Sequence, residues 1–289
     1  MGDKELQNLL LRAENLMKQN WLHAVQLLNQ AVEENPDDPR ALIALGNFYQ
    51  TRQLFDKAIK CYQSALRLAP EDDHLKLIIG NSYFAEGDYD LAIVYYDQIK
   101  KPHADVRYNK ALALAYMYRH EESIDIMCEL LDMIDNNPFI YFLLIEQLLR
   151  VGDHVSAYHY IQRAEAKIGN HRHLLLLKAL TYARMKNWLY AYNAFVSYTK
   201  LGKINLSEHL RVYAECAVQI GLPERGIPIL EQGLELNPYD VGLYEELVRL
   251  LVQRGYAKRA REVLAIAKRY FRLTPVLKLL EARLNSQGD

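Results

Sequence analysis

Residues that interrupt helices are scarce: the 289-residue sequence has 13 glycines and 9 prolines. Each weakens or breaks a helix interior, so their scarcity excludes a loop-rich architecture and leaves room for a chain built almost wholly of helices. Cysteine is scarcer still. Cys61, Cys128 and Cys216 lie far apart with no CxxC pair, and an odd count is a poor basis for a disulfide framework, so a reducing, cytoplasmic location is expected. No charge of one sign dominates: 35 Lys and Arg face 36 Asp and Glu, for a net charge of -1. The molecule as a whole therefore has no bias toward nucleic acid or anionic membrane. No apolar run reaches about 18 residues, so no membrane-spanning helix is expected. Met1 to Gln30 is charged and amphipathic rather than a basic start followed by an apolar run, and no secretory signal is read there. Catalytic signatures are missing as well. There is no GxSxG, GxxxxGK[ST], HExxH or glycine-rich phosphate loop, and each cysteine falls in a helical segment with no evident base. No enzyme activity and no cofactor are expected.

What is present is apolar and periodic. The hydrophobic fraction is 51% and the charged fraction 25%, the composition of a folded protein rather than a disordered one. A small residue recurs in a similar context at Ala24, Ala58, Ala92, Ser123, Ala157, Ala191, Gly226 and Ala260, with steps of 34, 34, 31, 34, 34, 35 and 34. A second column runs seven residues later, at Ala31, Ala65, Ile99, Leu130, Ala164, Tyr198, Gly233 and Ala267. Seven residues is two helical turns, so both columns lie on one face of the second helix of each unit. Small side chains on that face let a neighbouring backbone come close.

The first helix of each unit has its own stripe, clearest in Leu42, Leu45, Gly46 and Tyr49 and in Ile79, Gly80 and Tyr83. Turn residues followed by an aromatic separate the two helices, as in Gln53-Leu54-Phe55, Gly87-Asp88-Tyr89 and Lys186-Asn187-Trp188. Pro36, Pro70 and Pro238 close units, because proline cannot continue the preceding helix.

Leu42, Leu45, Gly46, Tyr49, Ala58, Tyr62, Ala65 and Pro70 stand in the register of the tetratricopeptide repeat, and the chain resembles that family over roughly residues 5–273. The resemblance implies an all-α fold: a right-handed superhelical solenoid of about eight helix pairs, near 5–38, 39–72, 73–103, 104–137, 138–171, 172–206, 207–240 and 241–274, with a capping helix over 275–285. One continuous domain over 1–289 is expected, because a single pair cannot bury its apolar face alone. Departures are local. Arg12, Ile145 and Val248 replace small residues, the unit containing Ser123 begins three residues early, and Pro223 with Pro228 falls near the seventh turn.

By the resemblance, first helices line the inner wall of the curve. Helical phase then points Asn47, Asn81, Phe84, Tyr108, Tyr116, Phe139, Phe142, Leu176 and Arg184 into a groove that is apolar and aromatic at its centre. Exposed contiguous apolar surface marks a binding site, and aromatics supply contact area with few rotamers to freeze. Packing of these side chains between repeats is the other reading. Some family members grip a carboxylate-terminated peptide with Lys, Asn and Arg in this groove. Here Ile43, Asp105 and Asn109 stand where cations would be needed, which argues against that mode.

Repeats seven and eight change character, with Glu208, Arg211, Glu215, Glu245, Glu246 and Arg249 facing the groove. From Arg249 onward ten basic residues oppose Glu262, Glu281 and Asp289. This reads first as a solvated face on the end helices, or as charge that steers an acidic partner; no aromatic interleaving supports nucleic acid binding. His154 and His159 are five apart rather than four, and no carboxylate pair completes a set with His171 and His173, so no metal is expected. The function expected is an interaction scaffold or adaptor that holds a peptide or helix of a partner protein in its concave groove. The alternative is a self-assembling subunit, a homo-oligomer that covers the same surface with another copy.

Overall fold

Every small position of the first column is buried, from Ala24 to Ala260, because that face of each second helix lies against its neighbours. The computed structural model describes residues 2–286; Met1 and residues 287–289, with the Asp289 of the basic-end count, lie outside the described residues. Seventeen helices and no strand are found among the described residues. They run as α1 (Asp3–Leu16) and α2 (Trp21–Glu34), α3 (Pro39–Thr51) and α4 (Phe55–Leu68), α5 (Asp73–Glu86) and α6 (Tyr89–Asp97), α7 (Ala104–Tyr116) and α8 (His120–Met133). There follow α9 (Pro138–Val151) and α10 (His154–Ile168), α11 (Arg172–Arg184) and α12 (Trp188–Lys200), α13 (Ser207–Gln219) and α14 (Pro223–Leu236), α15 (Val241–Gln253) and α16 (Ala257–Tyr270), and α17 (Pro275–Ser286). The chain forms two compact units, Met1–Gln147 and Leu148–Asp289, with the division inside α9.

Within each unit a helix packs on the next in sequence. Polar side chains start several helices: Asp38, Asp72, Asp88, Asp153 and Asp240 each accept from a backbone amide of the first turn. The step of 31 residues between Ala92 and Ser123 has a plain cause in the short α6, which ends at Asp97 ahead of Pro102. Pro223 sits in the first turn of α14, where it costs little; Pro228 lies inside that helix and deprives the Glu224 carbonyl of its donor.

Glycine at the repeat's Gly46 and Gly80 positions is explained by what lies opposite. A Cβ at Gly46 would stand 2.4 Å from Tyr62 Cε1, and one at Gly80 2.5 Å from Tyr96 Cε1. Each tyrosine follows its glycine by 62 - 46 = 96 - 80 = 16 residues. The same offset pairs Ala111 with Met127, Ala179 with Phe195, Ala214 with Leu230 and Val248 with Leu264, and all eight are buried. Except at Ile145 and Ile161, which are both large and both buried, side-chain bulk on the first helix is thus traded against bulk on the second, as expected of interiors packed to crystal-like density.

The turns between first and second helices share one geometry from α3–α4 onward. One or two residues past the first helix the backbone is left-handed, at Gln53 (φ 58), Gly87 (φ 92), Tyr118 (φ 60), Gly152 (φ 84), Lys186 (φ 59), Gly221 (φ 81) and Gly255 (φ 77). In each case the next amide donates back to a carbonyl five residues earlier, as from Leu54 to Tyr49 and from Asn187 to Tyr182. Side-chain-bearing residues are strained there, so Lys186→Gly and Gln53→Gly are each expected to stabilise the protein by about 0.5–1 kcal/mol. Urea unfolding midpoints check this; a fall in midpoint for both would show that these turns tolerate their side chains without strain.

Candidate functional site

Phe84, at the end of α5, meets two tyrosines from neighbouring helices. Its ring is 5.3 Å from Tyr89 and 5.7 Å from Tyr116, both edge to face, while Tyr89 and Tyr116 stack at 5.0 Å with 9° between their planes. The α5–α6 turn brings Tyr89 back beside Phe84, and the packing of α6 on α7 supplies Tyr116. These arrangements are favourable for aromatic quadrupoles and hold the cluster together. Tyr116 remains 55% exposed, so the cluster presents an open face. Tyr118 follows on the left-handed turn, exposed, with its ring edge to face with His120 at 5.9 Å. His120 Nδ1 in turn lies 2.7 Å from Oε1 of the buried Gln147.

The asparagines are held from beneath. The Tyr62 hydroxyl lies 2.7 Å from Asn47 Oδ1 and 2.7 Å from Gln50 Oε1. One hydroxyl proton serves one of these acceptors, so the other amide must turn its NH2 toward the phenol oxygen. Tyr96 donates to Asn81 Oδ1 at 2.9 Å, and Asn109 Nδ2 donates to the same oxygen at 3.0 Å, which ties α5 to α7. Burial raises both tyrosine pKa values above the ordinary phenol range, so the hydroxyls stay neutral donors. Asn47 is exposed with amide capacity to spare, whereas Asn81 is half-buried in its network. Asn109, one of the residues standing where a clamp cation would be needed, is instead part of that structural network.

The remaining positions divide. Tyr108 is half-buried, and its hydroxyl pKa is raised first by burial and then by Glu146. Phe139 is 63% exposed, with its ring 6.4 Å from that of Phe142. Phe142 is only 8% exposed and Leu176 6%, so these two are covered by the protein's own side chains rather than open. The cause for Phe142 is that α9 is buried continuously from Ile140 to Ile145, all round the helix. Leu176 packs in a cluster with Ala179, Phe195 and Tyr213. Leu176 and the exposed Arg184 belong to the second unit, the other seven positions to the first. Helical phase on the first helices does not mark Tyr89, Tyr62 or Tyr96 as contributors; the signal for Tyr62 and Tyr96 is their place sixteen residues after Gly46 and Gly80, and for Tyr89 its place after the Gly87-Asp88 turn.

In the second unit, α13 and α15 present a charged set. Arg211 Nε is 4.0 Å from Glu246 Oε1, and Glu245 accepts from Thr274 Oγ1 at 2.5 Å. Burial pushes the Glu246 carboxyl up to about 7, with Glu215 and Asp240 adding to the shift and Arg211 and Arg249 opposing it. No group of three His, Cys, Asp or Glu suited to a metal, and no helix long and apolar enough to cross a membrane, occurs among the described residues.

Family models of the tetratricopeptide repeat match residues 16–80 and 74–101. Among solved structures, the backbone is similar to a chain of the APC/C hetero-tetramer Cut9-Hcn1, with a TM-score of 0.60 at 15% identity over 98% of this chain and 57% of that one. It is also similar to a tetratricopeptide repeat protein from Parabacteroides merdae ATCC 43184, with a TM-score of 0.63 at 13% identity over 86% of this chain and 98% of that one. Pseudomonas aeruginosa pilF gives 0.55 at 17% identity, over 75% and 98%. No curated protein sequence matches the chain. Residues 16–101 thus carry tetratricopeptide repeats, and the backbone has the all-α fold of tetratricopeptide-repeat proteins. It spans 57% of the Cut9-Hcn1 chain it matches, and at these identities the likeness concerns the fold alone. Proteins of this class act in general as protein-interaction scaffolds, and the fold is typically non-catalytic.

Proposed function

We propose that this protein is an interaction scaffold that takes a peptide or helix of a partner protein on the first-helix face of its first unit. The observation that carries the reading is the Phe84–Tyr89–Tyr116 cluster, preorganised by ring-to-ring contact yet open to solvent at Tyr116. Preorganised aromatic anchors lose little entropy on binding and dominate interface energetics. Phe139 extends the exposed aromatic character, and Asn47 offers an amide for the backbone of an extended or helical segment.

The test is quantitative capture followed by titration of the captured partner against the wild type and a Tyr116→Asp/Phe139→Asp variant. Both side chains are exposed, so far-UV circular dichroism should be unchanged. Affinity should fall by at least about tenfold, the scale of a hot-spot anchor. Undiminished binding in the folded variant would remove the reading. So would light scattering that shows a dimer split by the same substitutions, because the face would then be covered by a second copy.

A further inference from the structure

The end of the chain carries a second candidate surface. Between α16 and the start of α17 lies an open depression of about 560 Å3. Arg269, Arg272 and Lys278 line it together with Lys268, Tyr270 and Glu281.

Four other cations of this end have partners. Arg254 bonds Glu224, Arg259 bonds Glu231, Lys268 bonds Glu281, and Arg261 donates to the Leu284 carbonyl. Arg269, Arg272 and Lys278 are exposed and make no side-chain hydrogen bond or ion pair among the described residues. Three unneutralised cations share one depression with a single carboxylate, itself already paired to Lys268. Their mutual repulsion is relieved by a bound anion.

The lining selects among anions. The Tyr270 ring is held edge to face with Tyr239 at 5.2 Å, and Phe271 with Tyr244 at 5.4 Å, so neither ring is arranged as a platform for stacked bases. Proteins that hold duplex DNA neutralise on the order of 6–10 phosphates, far more than three free cations supply. Glu281 also opposes a dense run of phosphates, but it tolerates carboxylates spaced along a peptide. Arginine pairs with a carboxylate through two parallel bonds, and the apolar flank formed by Tyr270, Phe271 and Leu273 suits the stems of peptide side chains.

We propose that the depression between α16 and α17 binds an acidic peptide segment through carboxylates paired with Arg269, Arg272 and Lys278. This site is separate from the aromatic cluster of the first unit, and its test stands independently of that reading.

Fluorescence anisotropy with labelled hexaglutamate tests it, with the whole chain as wild type, as Arg269→Gln/Arg272→Gln/Lys278→Gln, and as a control, Lys4→Gln/Lys60→Gln/Lys101→Gln. The control removes the same charge from exposed sites elsewhere. Binding should weaken at least about tenfold in the first variant and less than about twofold in the control, and it should weaken as salt rises from about 50 to about 300 mM. Arg272→Gln alone, expected to lose about threefold, keeps the test informative if the triple variant does not fold. Equal loss in both triple variants, no binding by the wild type, or tighter binding of a single-stranded oligonucleotide of equal length would overturn the proposal.

Discussion

Gly46→Ala should destabilise the protein by about 1–3 kcal/mol, far more than the few tenths usual for a surface change, because it overfills a packed interior. In a helix free of contacts the same substitution would stabilise, since alanine is the better helix former by about 1 kcal/mol. Tertiary contact reverses the sign. The added methyl would stand 2.4 Å from Tyr62 Cε1, and Tyr62 is fully buried with its hydroxyl held by Asn47 and Gln50, so the ring has nowhere to go. Tyr62→Leu alone should also destabilise, through lost volume and lost hydrogen bonds. Together the two changes reproduce the Ala214 and Leu230 combination that the chain already uses. The double variant is therefore expected to lose less than the sum of the singles, with a coupling of about 0.5–2 kcal/mol. Urea unfolding of the four proteins measures it, and strict additivity would sink the trade in bulk between paired helices.

The second large effect depends on pH. Glu246→Gln is expected to match the wild type near pH 4 and to exceed it in stability at pH 8. Burial is the main cause of the raised carboxyl, at about 7 against an ordinary 4.5, with Glu215 and Asp240 adding to it and Arg211 and Arg249 opposing it. Since the folded value lies above the unfolded one, the folded state holds the proton over that window. The burial penalty is absent below about pH 4.5, grows as pH rises, and is complete above about pH 7. The side chain is 35% exposed, so solvent screening discounts the full shift to about 1 kcal/mol. Thermal unfolding of both proteins from about pH 4 to pH 8 shows it. Parallel curves would mean that Glu246 ionises in the folded protein as freely as in the unfolded chain.

The repeat was legible because it is written in side-chain size. Ala24, Ala58 and Ala92 mark a face where only small residues fit, and the helices fall where that period and the turn residues place them. Even the short α6 showed, as a step of 31 residues instead of 34. The candidate site was legible only as directions. Helical phase aims Phe84 and Tyr116 at one face, and they do meet there. The same phase says nothing about what stands opposite a side chain, which is why Phe142 and Leu176 prove to be covered. Nor does spacing reveal that Asn47 and Asn81 are held by tyrosine hydroxyls, since those bonds join residues 15 apart on different helices. Tyr118 on its left-handed turn was hidden for a related reason: glycine normally advertises that conformation, and here an aromatic occupies it.

The sixteen-residue trade in bulk has a consequence for how such chains can be rebuilt. A donor helix carrying glycine brings a socket, and a recipient helix carrying leucine in place of tyrosine leaves that socket unfilled; the reverse graft jams. Whole hairpins are accordingly the interchangeable parts, and chimeras joined between hairpins should keep their stability where those joined inside one lose it.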